Sequence, residues 1–297
     1  MTSGFRSRGF RGLIAAGAFC AIAGGVYVGF GDLEQKVHAL ARFDRELTLE
    51  WEDLPDWLNL HDNRHILDSL TRRVDLRTGD RLLDPDLAAR LGRTLAEPEV
   101  GWVKSVQRVV VHPDGVVSIR CDFRQPASWF VQGRYAFLVD EEGVRLPGRY
   151  EAADCEGGSL MMIEGVRMKP PEVGQVWRGA DVTAGLKLAG LLRGQPFRHQ
   201  IGRILVENHD GRVDRSRPHI ELTTDRPGNR IWWGRAPDEE FGTEISATQK
   251  ITLLRTLYDQ WGRIDLNRSY VNIMTWPDRV SLPAESPTDR PGDSRRG

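Results

Sequence analysis

Hydrophobic positions alternate with polar ones over much of this chain, and the alternation predicts strands more often than helices. The densest pattern is a valine-rich run, Val106–Val111, followed by a second run, Val116–Phe123. Between them stands His112-Pro113-Asp114-Gly115, where proline fixes φ, aspartate bonds to the local backbone and glycine accepts positive φ. Two such runs joined by this turn predict a β-hairpin. A third apolar run, Val131–Asp140, predicts a further strand.

Upstream of the hairpin the pattern predicts one short strand and two helices. Residues Leu47–Trp51 alternate as in a strand. Apolar residues recur at helical spacing from Asp62 to about Val74, and again from Asp86 to Ala96 behind Asp84-Pro85. The order strand, helix, helix, strand, strand predicts a small α+β unit.

From Gln125 onward most segments read as strands. Helices are predicted at Asp181–Leu192, followed by Gly194, and behind the capping box formed by Ser246 and Gln249. The predicted strands are Ile201–Glu207, His219–Thr224, Arg230–Trp233 and Arg268–Trp276, with a return strand at Arg279–Leu282. This part is therefore expected to form a mostly antiparallel β domain with flanking helices. Residues 286–297 lack large apolar side chains, which predicts a disordered tail.

One segment is apolar enough to enter a lipid bilayer. Leu13–Phe30 contains no charged residue, and as a helix it would span ~27 Å of the ~30 Å hydrocarbon core. Arginines precede it and acidic residues follow it, so its N-terminal side is expected in the cytoplasm. A signal peptide cut after Ala21-Ile22-Ala23 is the main alternative, although that cut leaves a short apolar core. A lipoprotein signal at Cys20 is disfavoured by the bulky Phe19 before it.

Composition narrows the classes of partner and cofactor. Lys and Arg number 41 against 42 Asp and Glu, so no one-sided charge favours nucleic acid. Cys121 and Cys155 can pair in an oxidising compartment or remain independent small apolar residues. His61 and His65 lie four residues apart, but a metal site needs a third ligand, and two exposed helix histidines are the simpler interpretation. No metal and no cofactor are expected.

The sequence also lacks the familiar signatures of enzymes. No G-x-S-x-G, H-E-x-x-H, Walker loop or dinucleotide fingerprint occurs. Asp140-Glu141-Glu142 is interpreted as a solvated turn, because successive residues at a turn point in different directions. Neither catalytic residues nor a small-molecule substrate are expected. A membrane-anchored hydrolase of the cell envelope is the alternative, since catalytic groups can come together from distant positions.

Several short motifs, taken in their order, resemble the FtsQ/DivIB family of cell-division proteins. Val100–Val106 is similar to the family's W-V-x-x-a-x-V motif, and His112–Gly115 stands where the family usually has an Arg-x-x-P hairpin. Gln125–Trp129 resembles the family's E-R-x-P-x-A element, although Gln replaces the common Glu. Leu138–Gly143 resembles its L-V-D-x-x-G strand and turn, and Asp181–Leu186 resembles its later helix.

The resemblance implies a non-enzymatic, single-pass protein of the cell inner membrane, with the C-terminal part outside the cytoplasm at the division site. The expected segments are a cytoplasmic tail (1–12), a transmembrane helix (13–30), a connector (31–46), a POTRA-like domain (47–124), a β domain (125–283) and a disordered tail (284–297). A POTRA-bearing secretion component is a further alternative. The chain after residue 125 is, however, too short and too often interrupted by helices for a membrane barrel.

The resemblance also implies where partners bind. In the family a late β strand binds the division proteins FtsB and FtsL. The matching residues here are Ser269, Tyr270, Val271, Asn272, Ile273, Met274, Thr275 and Trp276. A strand at a sheet edge can pair with a partner's strand through its free N–H and C=O groups. The alternative is an interior strand, because apolar residues lie on both of its faces.

Overall fold

The protein is described by a computed structural model, which covers residues 47–60, 63–74, 76, 82 and 84–275. The chain divides into two compact units. The first contains the described residues up to Ala96 together with Ser105–Asp122, and the second contains Glu97–Lys104 and the described residues from Phe123 onward. Strands and a few helices make up each unit, so the predicted α+β class is confirmed.

The predicted transmembrane helix, connector and C-terminal tail lie outside the described residues. Within the described part of the chain, no helix has both the length and the apolar character needed to cross a bilayer.

The first unit combines a three-stranded sheet with helices. Its elements are β1 (Thr48–Glu52), α1 (Asp56–Asn59), α2 (Arg64–Val74), α3 (Leu87–Ala96), β2 (Val103–Val111, whose first two residues belong to the second unit) and β3 (Val116–Phe123). The strand order is β1-β3-β2, with β1 parallel to β3. The predicted hairpin is confirmed, because the His112 N–H donates to the Val116 carbonyl at 2.8 Å and Gly115 has a φ of 94°.

Apolar side chains from helices and from β3 build the core of this first unit. The buried residues include Ile66, Leu70 and Val74 on α2, Leu87, Leu91 and Leu95 on α3, and Val117, Ile119 and Cys121 on β3. Gly92 of α3 lies against β2, and a Cβ at this position would make an ordinary van der Waals contact of 3.7 Å with the Val109 side chain. Each fully buried leucine contributes about 1.5–3 kcal/mol relative to an exposed one.

The second unit is built on an eight-stranded sheet. Its strands are β4 (Pro126–Gln132), β5 (Tyr135–Asp140), β6 (Tyr150–Glu151), β7 (Met161–Glu164), β8 (Ile201–Leu205), β9 (Ile220–Thr224), β10 (Arg230–Gly234) and β11 (Tyr270–Asn272). Their spatial order is β11-β10-β9-β8-β7-β4-β5-β6. The pairs β4–β5, β5–β6, β8–β9 and β9–β10 are antiparallel, whereas β4–β7, β7–β8 and β10–β11 are parallel. The sheet is thus mostly antiparallel, as predicted.

Two strand predictions in this unit need correction. Val131–Asp140 is not one strand, because Gly133, with a φ of 60°, forms a turn across which β4 and β5 pair. Apolar residues continue on both sides of this glycine, so periodicity concealed the turn. The strand predicted at Arg268–Trp276 contracts to β11, because the Met274 N–H turns back to bond the side chain of Asn272.

An apolar row crosses the sheet and forms the centre of the core. Its members stand opposite one another on neighbouring strands: Phe137, Phe130, Ile163, Ile204, Leu222, Ile231 and Val271. All of them are buried, and they share one cluster with residues of the helices α4 (Ala180–Arg193) and α5 (Ala247–Trp261), such as Leu188 and Leu254. Val271 therefore ties β11 to the core.

The two helices agree with the predicted ranges but differ in three side chains. The capping box of Ser246 and Gln249 is present at the start of α5. The helical spacing of Ile251, Leu254, Leu257, Tyr258 and Trp261 predicts one apolar face, but Trp261 is 68% exposed, whereas Lys250 is fully buried. Asp181, predicted to begin the earlier helix, instead lies buried inside it and accepts a hydrogen bond from Arg212 at 2.6 Å.

Cys121 and Cys155 are buried free thiols. The structure therefore shows the independent arrangement of the two alternatives that the sequence allowed. Burial raises the pKa of the Cys121 thiol to about 11 and also raises the pKa of Cys155. Both side chains consequently carry little thiolate at neutral pH and react slowly.

Candidate functional site

Strand β11 lies at one end of the eight-stranded sheet. It runs parallel to β10, with Arg230 opposite Tyr270 and Trp232 opposite Asn272. Among the strands that the structure describes, none pairs with its other side. The sequence left open whether this strand was interior or at an edge, and within the described residues it is an edge strand.

The backbone groups of β11 divide between its two sides. The Ser269 carbonyl and the Ile273 N–H both bond to β10, at 3.0 and 3.3 Å. In a parallel pair, alternate residues of a strand bond to the same neighbour. The N–H and C=O of Val271 therefore face β10, whereas those of Tyr270 and Asn272 point away from it. These outward groups are the ones that an added strand would bond.

The side chains of β11 also differ between its faces. Val271 and Ile273 are fully buried. On the opposite face Tyr270 stacks on Trp232, with ring centroids 4.2 Å apart and planes 9° apart. Both rings are half-buried, so an aromatic surface lies next to the outward backbone groups.

The eight residues predicted to bind a partner do not all lie on this strand. Tyr270, Val271 and Asn272 form it, and Ser269 is an exposed residue just before it. Ile273 enters the core beyond the strand, and Met274 and Thr275 are half-buried. Trp276 lies outside the described residues.

A buried carboxylate holds the segment that leads into β11. Asp265 is completely buried and accepts hydrogen bonds from Thr224 Oγ1 at 3.0 Å and Asn229 Nδ2 at 3.0 Å. Arg263 donates a further bond at 2.8 Å. Burial alone would raise the pKa of Asp265, but the hydrogen bonds from these side chains outweigh it and hold the pKa well below its ordinary value of 3.8. The ionised carboxylate thus joins three separate parts of the unit.

Asp265 also supports an unusual backbone. Leu266 and Asn267 have φ angles of 52° and 55°, in the left-handed region. Non-glycine residues there cost of order 1–3 kcal/mol each and persist only where their surroundings enforce them. The Asn267 N–H bonds to Asp265 Oδ1 at 3.0 Å, and the Ile264 N–H bonds to the Gln200 side chain at 3.0 Å. The start of β11 is fixed by these contacts.

A buried ion pair supports the opposite end of the strand. Lys250 Nζ donates to Glu244 Oε1 at 2.6 Å and lies 5.0 Å from the centroid of the Trp233 ring. Burial lowers the pKa of Lys250, and the adjacent carboxylate opposes this effect. The residue after Glu244 is Ile245, whose N–H donates to the Met274 carbonyl at 2.9 Å. The ion pair therefore anchors the segment that holds the chain just beyond β11.

Grooves elsewhere on this unit are lined by paired charges. One groove has a volume of about 840 Å³ and is lined in part by Glu164, Arg203 and Arg230. Arg203 pairs with Glu164 at 2.6 Å, and Arg230 pairs with Glu221 at 2.8 Å. Carboxylates neutralised in this way are typical of structural ion pairs.

The turn Asp140-Glu141-Glu142 is only partly solvated, which corrects the prediction. Glu141 and Glu142 are exposed, but Asp140 is buried. It accepts hydrogen bonds from the Val144 N–H at 2.7 Å and from Arg124 at 2.6 Å. These bonds to the following turn and to a guanidinium draw the Asp140 side chain inward.

Sequence reasoning found the strand but missed the residues that support it. Asp265 and Asn229 are separated by 36 positions, and Ile264 and Gln200 by 64. No local pattern joins positions so far apart. Lys250 did carry a signal, because it interrupts the apolar face of an otherwise amphipathic helix.

Comparison with known proteins adds no assignment for this edge. No protein-family model matches the chain, and no curated protein is significantly similar to it. The edge is therefore interpreted from its geometry and from the motifs of the sequence.

Proposed function

We propose that this protein is a membrane-anchored, non-catalytic scaffold of the bacterial cell-division complex. Residues 13–30 anchor it in the inner membrane, and the described units lie outside the cytoplasm. The second unit recruits division proteins resembling FtsB and FtsL by pairing one of their strands with β11. The first unit, POTRA-like in its order of elements, engages further division proteins.

One observation carries the proposal. Within the described residues β11 is an edge strand whose Tyr270 and Asn272 direct their backbone N–H and C=O groups away from the sheet. Main-chain bonds give such strand addition its affinity, and the neighbouring side chains give it specificity. The stacked Tyr270 and Trp232 supply an aromatic surface for that purpose. The resemblance of the short sequence motifs to FtsQ/DivIB supplies the choice of partner.

The proposal is tested by substituting the strand in the full-length chain. Asn272→Pro removes an outward N–H and places a ring against the incoming strand, so capture of co-expressed FtsB-like and FtsL-like proteins should be lost. Asn272→Ala is the matched control. It also removes the side chain that receives the Met274 N–H but keeps the backbone, so it should retain capture.

Folding and location are measured alongside. Both variants should keep the circular dichroism spectrum of the wild type, and the tagged wild-type chain should gather at midcell. Undiminished capture by a folded Asn272→Pro variant would exclude β11 as the pairing edge. A uniform envelope signal throughout the cell cycle would count against the division function itself.

A further inference from the structure

A buried histidine lies beneath two exposed carboxylates, away from the edge strand. His209 is in the connection between β8 and β9, and its side chain is only 5% exposed. Its Nδ1 lies 3.6 Å from Asp210 Oδ2, and its Nε2 lies 3.6 Å from Glu239 Oε2. One ligating atom from each of the three residues can be chosen so that all lie within 4.8 Å of one another.

The Nε2 atom of His209 is the unusual feature of this cluster. It is enclosed and has no hydrogen-bond partner among the described residues. Its 3.6 Å separation from Glu239 is too long for a hydrogen bond. A buried polar atom left without a partner costs about 1–3 kcal/mol, so such an atom in a polar cluster calls for an explanation.

The backbone around His209 is held firmly. The neighbouring Asn208 side chain donates to the carbonyls of Asp214 and Pro218, at 2.8 and 3.0 Å. It also accepts the Val213 N–H at 3.0 Å, and the His209 N–H bonds to the carbonyl of Val206. The imidazole is thereby presented from a rigid loop, which favours a preorganised ligand set.

We propose that His209, Asp210 and Glu239 bind a divalent first-row transition-metal cation, of which Zn²⁺ is the representative. Imidazole nitrogen and carboxylate oxygen are ordinary ligands of such ions, with metal–ligand distances of about 2.0–2.2 Å. Two ligands at those distances around a tetrahedral ion are roughly 3.4 Å apart, close to the separation of Nε2 from Glu239. The ion supplies the partner that the imidazole nitrogen lacks.

The surrounding groups suit a cation at this position. Arg235 is the nearby positive charge that acts on the adjacent His219, and Arg235 is itself paired with Glu244 at 3.9 Å. The cluster itself supplies two carboxylates, and the ring of His219 lies 6.5 Å from that of His209.

The ion would act as a structural clamp. His209 belongs to the β8–β9 connection, whereas Glu239 belongs to the connection between β10 and α5. A shared metal ties these two connections together at a place where no hydrogen bond between the two side chains does so. Because binding favours the folded state, zinc should also raise the melting temperature of the chain.

The test is calorimetric titration of ZnCl₂ into the full-length chain, purified in detergent and stripped with EDTA. The wild type should bind one ion saturably. Glu239→Gln and Asp210→Asn alter exposed carboxylates that the fold does not need, and each should weaken binding at least about tenfold. Asp238→Asn is the matched control, because this exposed neighbour of Glu239 pairs with Lys187 instead, and its Kd should stay within about twofold.

Absorption spectroscopy provides a second measurement that is independent of calorimetry. Co²⁺ added to the stripped protein should give visible absorption from a low-coordinate nitrogen–oxygen site, and Glu239→Gln should abolish that absorption. Absence of saturable zinc binding overturns the proposal. Binding that Glu239→Gln leaves unchanged, while His199→Asn at an exposed histidine elsewhere removes it, overturns it as well.

Discussion

The two edges of the eight-stranded sheet are built in opposite ways. At one end, β6 has two residues, and charged side chains surround it. Arg134 pairs with Glu151 at 3.8 Å, and the guanidiniums of Arg134 and Arg149 lie 4.8 and 4.5 Å from the ring of Tyr135. Exposed charge is one of the devices by which proteins prevent an edge from pairing with other chains.

At the other end, β11 consists of tyrosine, valine and asparagine and carries no charge. Its two flanks are fixed by buried polar groups, Asp265 before the strand and the Lys250–Glu244 pair beside its end. Buried charges are costly unless they are paired, and Asp265 and Lys250 both have close partners. The proposed strand addition at β11 therefore predicts that the two edges respond differently to substitution.

The largest expected effect comes from breaking the buried ion pair near β11. Lys250→Ala removes the close cation at 2.6 Å and leaves the Glu244 carboxylate only its longer pairing with Arg235, at 3.9 Å, so it should lower the free energy of unfolding by about 3–5 kcal/mol. Urea denaturation measures the change. At the β6 edge, Glu151→Ala removes the pair with Arg134, whose side chains are half or more exposed. This substitution should lower the free energy of unfolding by no more than about 0.5 kcal/mol. Equal losses at the two sites would remove the contrast between the edges.

A smaller loss is expected at the other flank of β11. Asp265→Asn weakens the bonds from Thr224, Asn229 and Arg263 and should cost about 2–3 kcal/mol at pH 7. Asp225→Asn changes the more exposed carboxylate that also pairs with Arg263, and it is the matched control, with a cost below about 1 kcal/mol. A cost for Asp265→Asn no larger than that of the control would show that the buried network does not fix the strand.

The lowered pKa of Asp265 also predicts that the free energy of unfolding depends on pH. The folded-state pKa of Asp265 is depressed, so its contribution is complete above the unfolded value, near 3.8, and is lost as the pH falls below it. The difference in unfolding free energy between wild type and Asp265→Asn should therefore shrink as the pH falls from 4 to 2. A constant difference over that range would assign the cost of the substitution to something other than the carboxylate charge.

The sequence predicts the elements of this edge better than their arrangement. The alternation of apolar and polar residues predicts the strands around Ile204, Leu222 and Ile231, because each of these residues is buried in the core with residues of the helices. This alternation does not predict that β10 and β11 pair in parallel, because the pattern of a single strand is the same in either direction. It also did not give the bonds of Asp265, whose partners come together only when β9, β10 and the segment after α5 have already met.

Amide hydrogen exchange tests whether the edge is open in solution. The Val271 and Ile273 N–H groups face β10 and should exchange at least about tenfold more slowly than those of Tyr270 and Asn272, which point outward. NMR of the isotope-labelled full-length chain without partners resolves the four amides. Equal protection at all four would mean that another strand covers the edge, and the segment Arg279–Leu282, outside the described residues, would be the first to examine.

The smallest expected effect separates the aromatic pairs of the two edges. Tyr270 stacks on Trp232 beside β11, whereas Tyr150 of β6 meets Trp129 edge-to-face, with centroids 4.9 Å apart. Double-mutant cycles with alanine should give a coupling of about 0.5–1.5 kcal/mol for each pair, because both geometries are favourable. The pairs should differ in binding, since Tyr270 borders the outward backbone groups: Tyr270→Ala should weaken capture of the partner, and Tyr150→Ala should not. If both substitutions weaken capture to the same extent, the partner binds at both edges. The charges around β6 then do not prevent partner binding there.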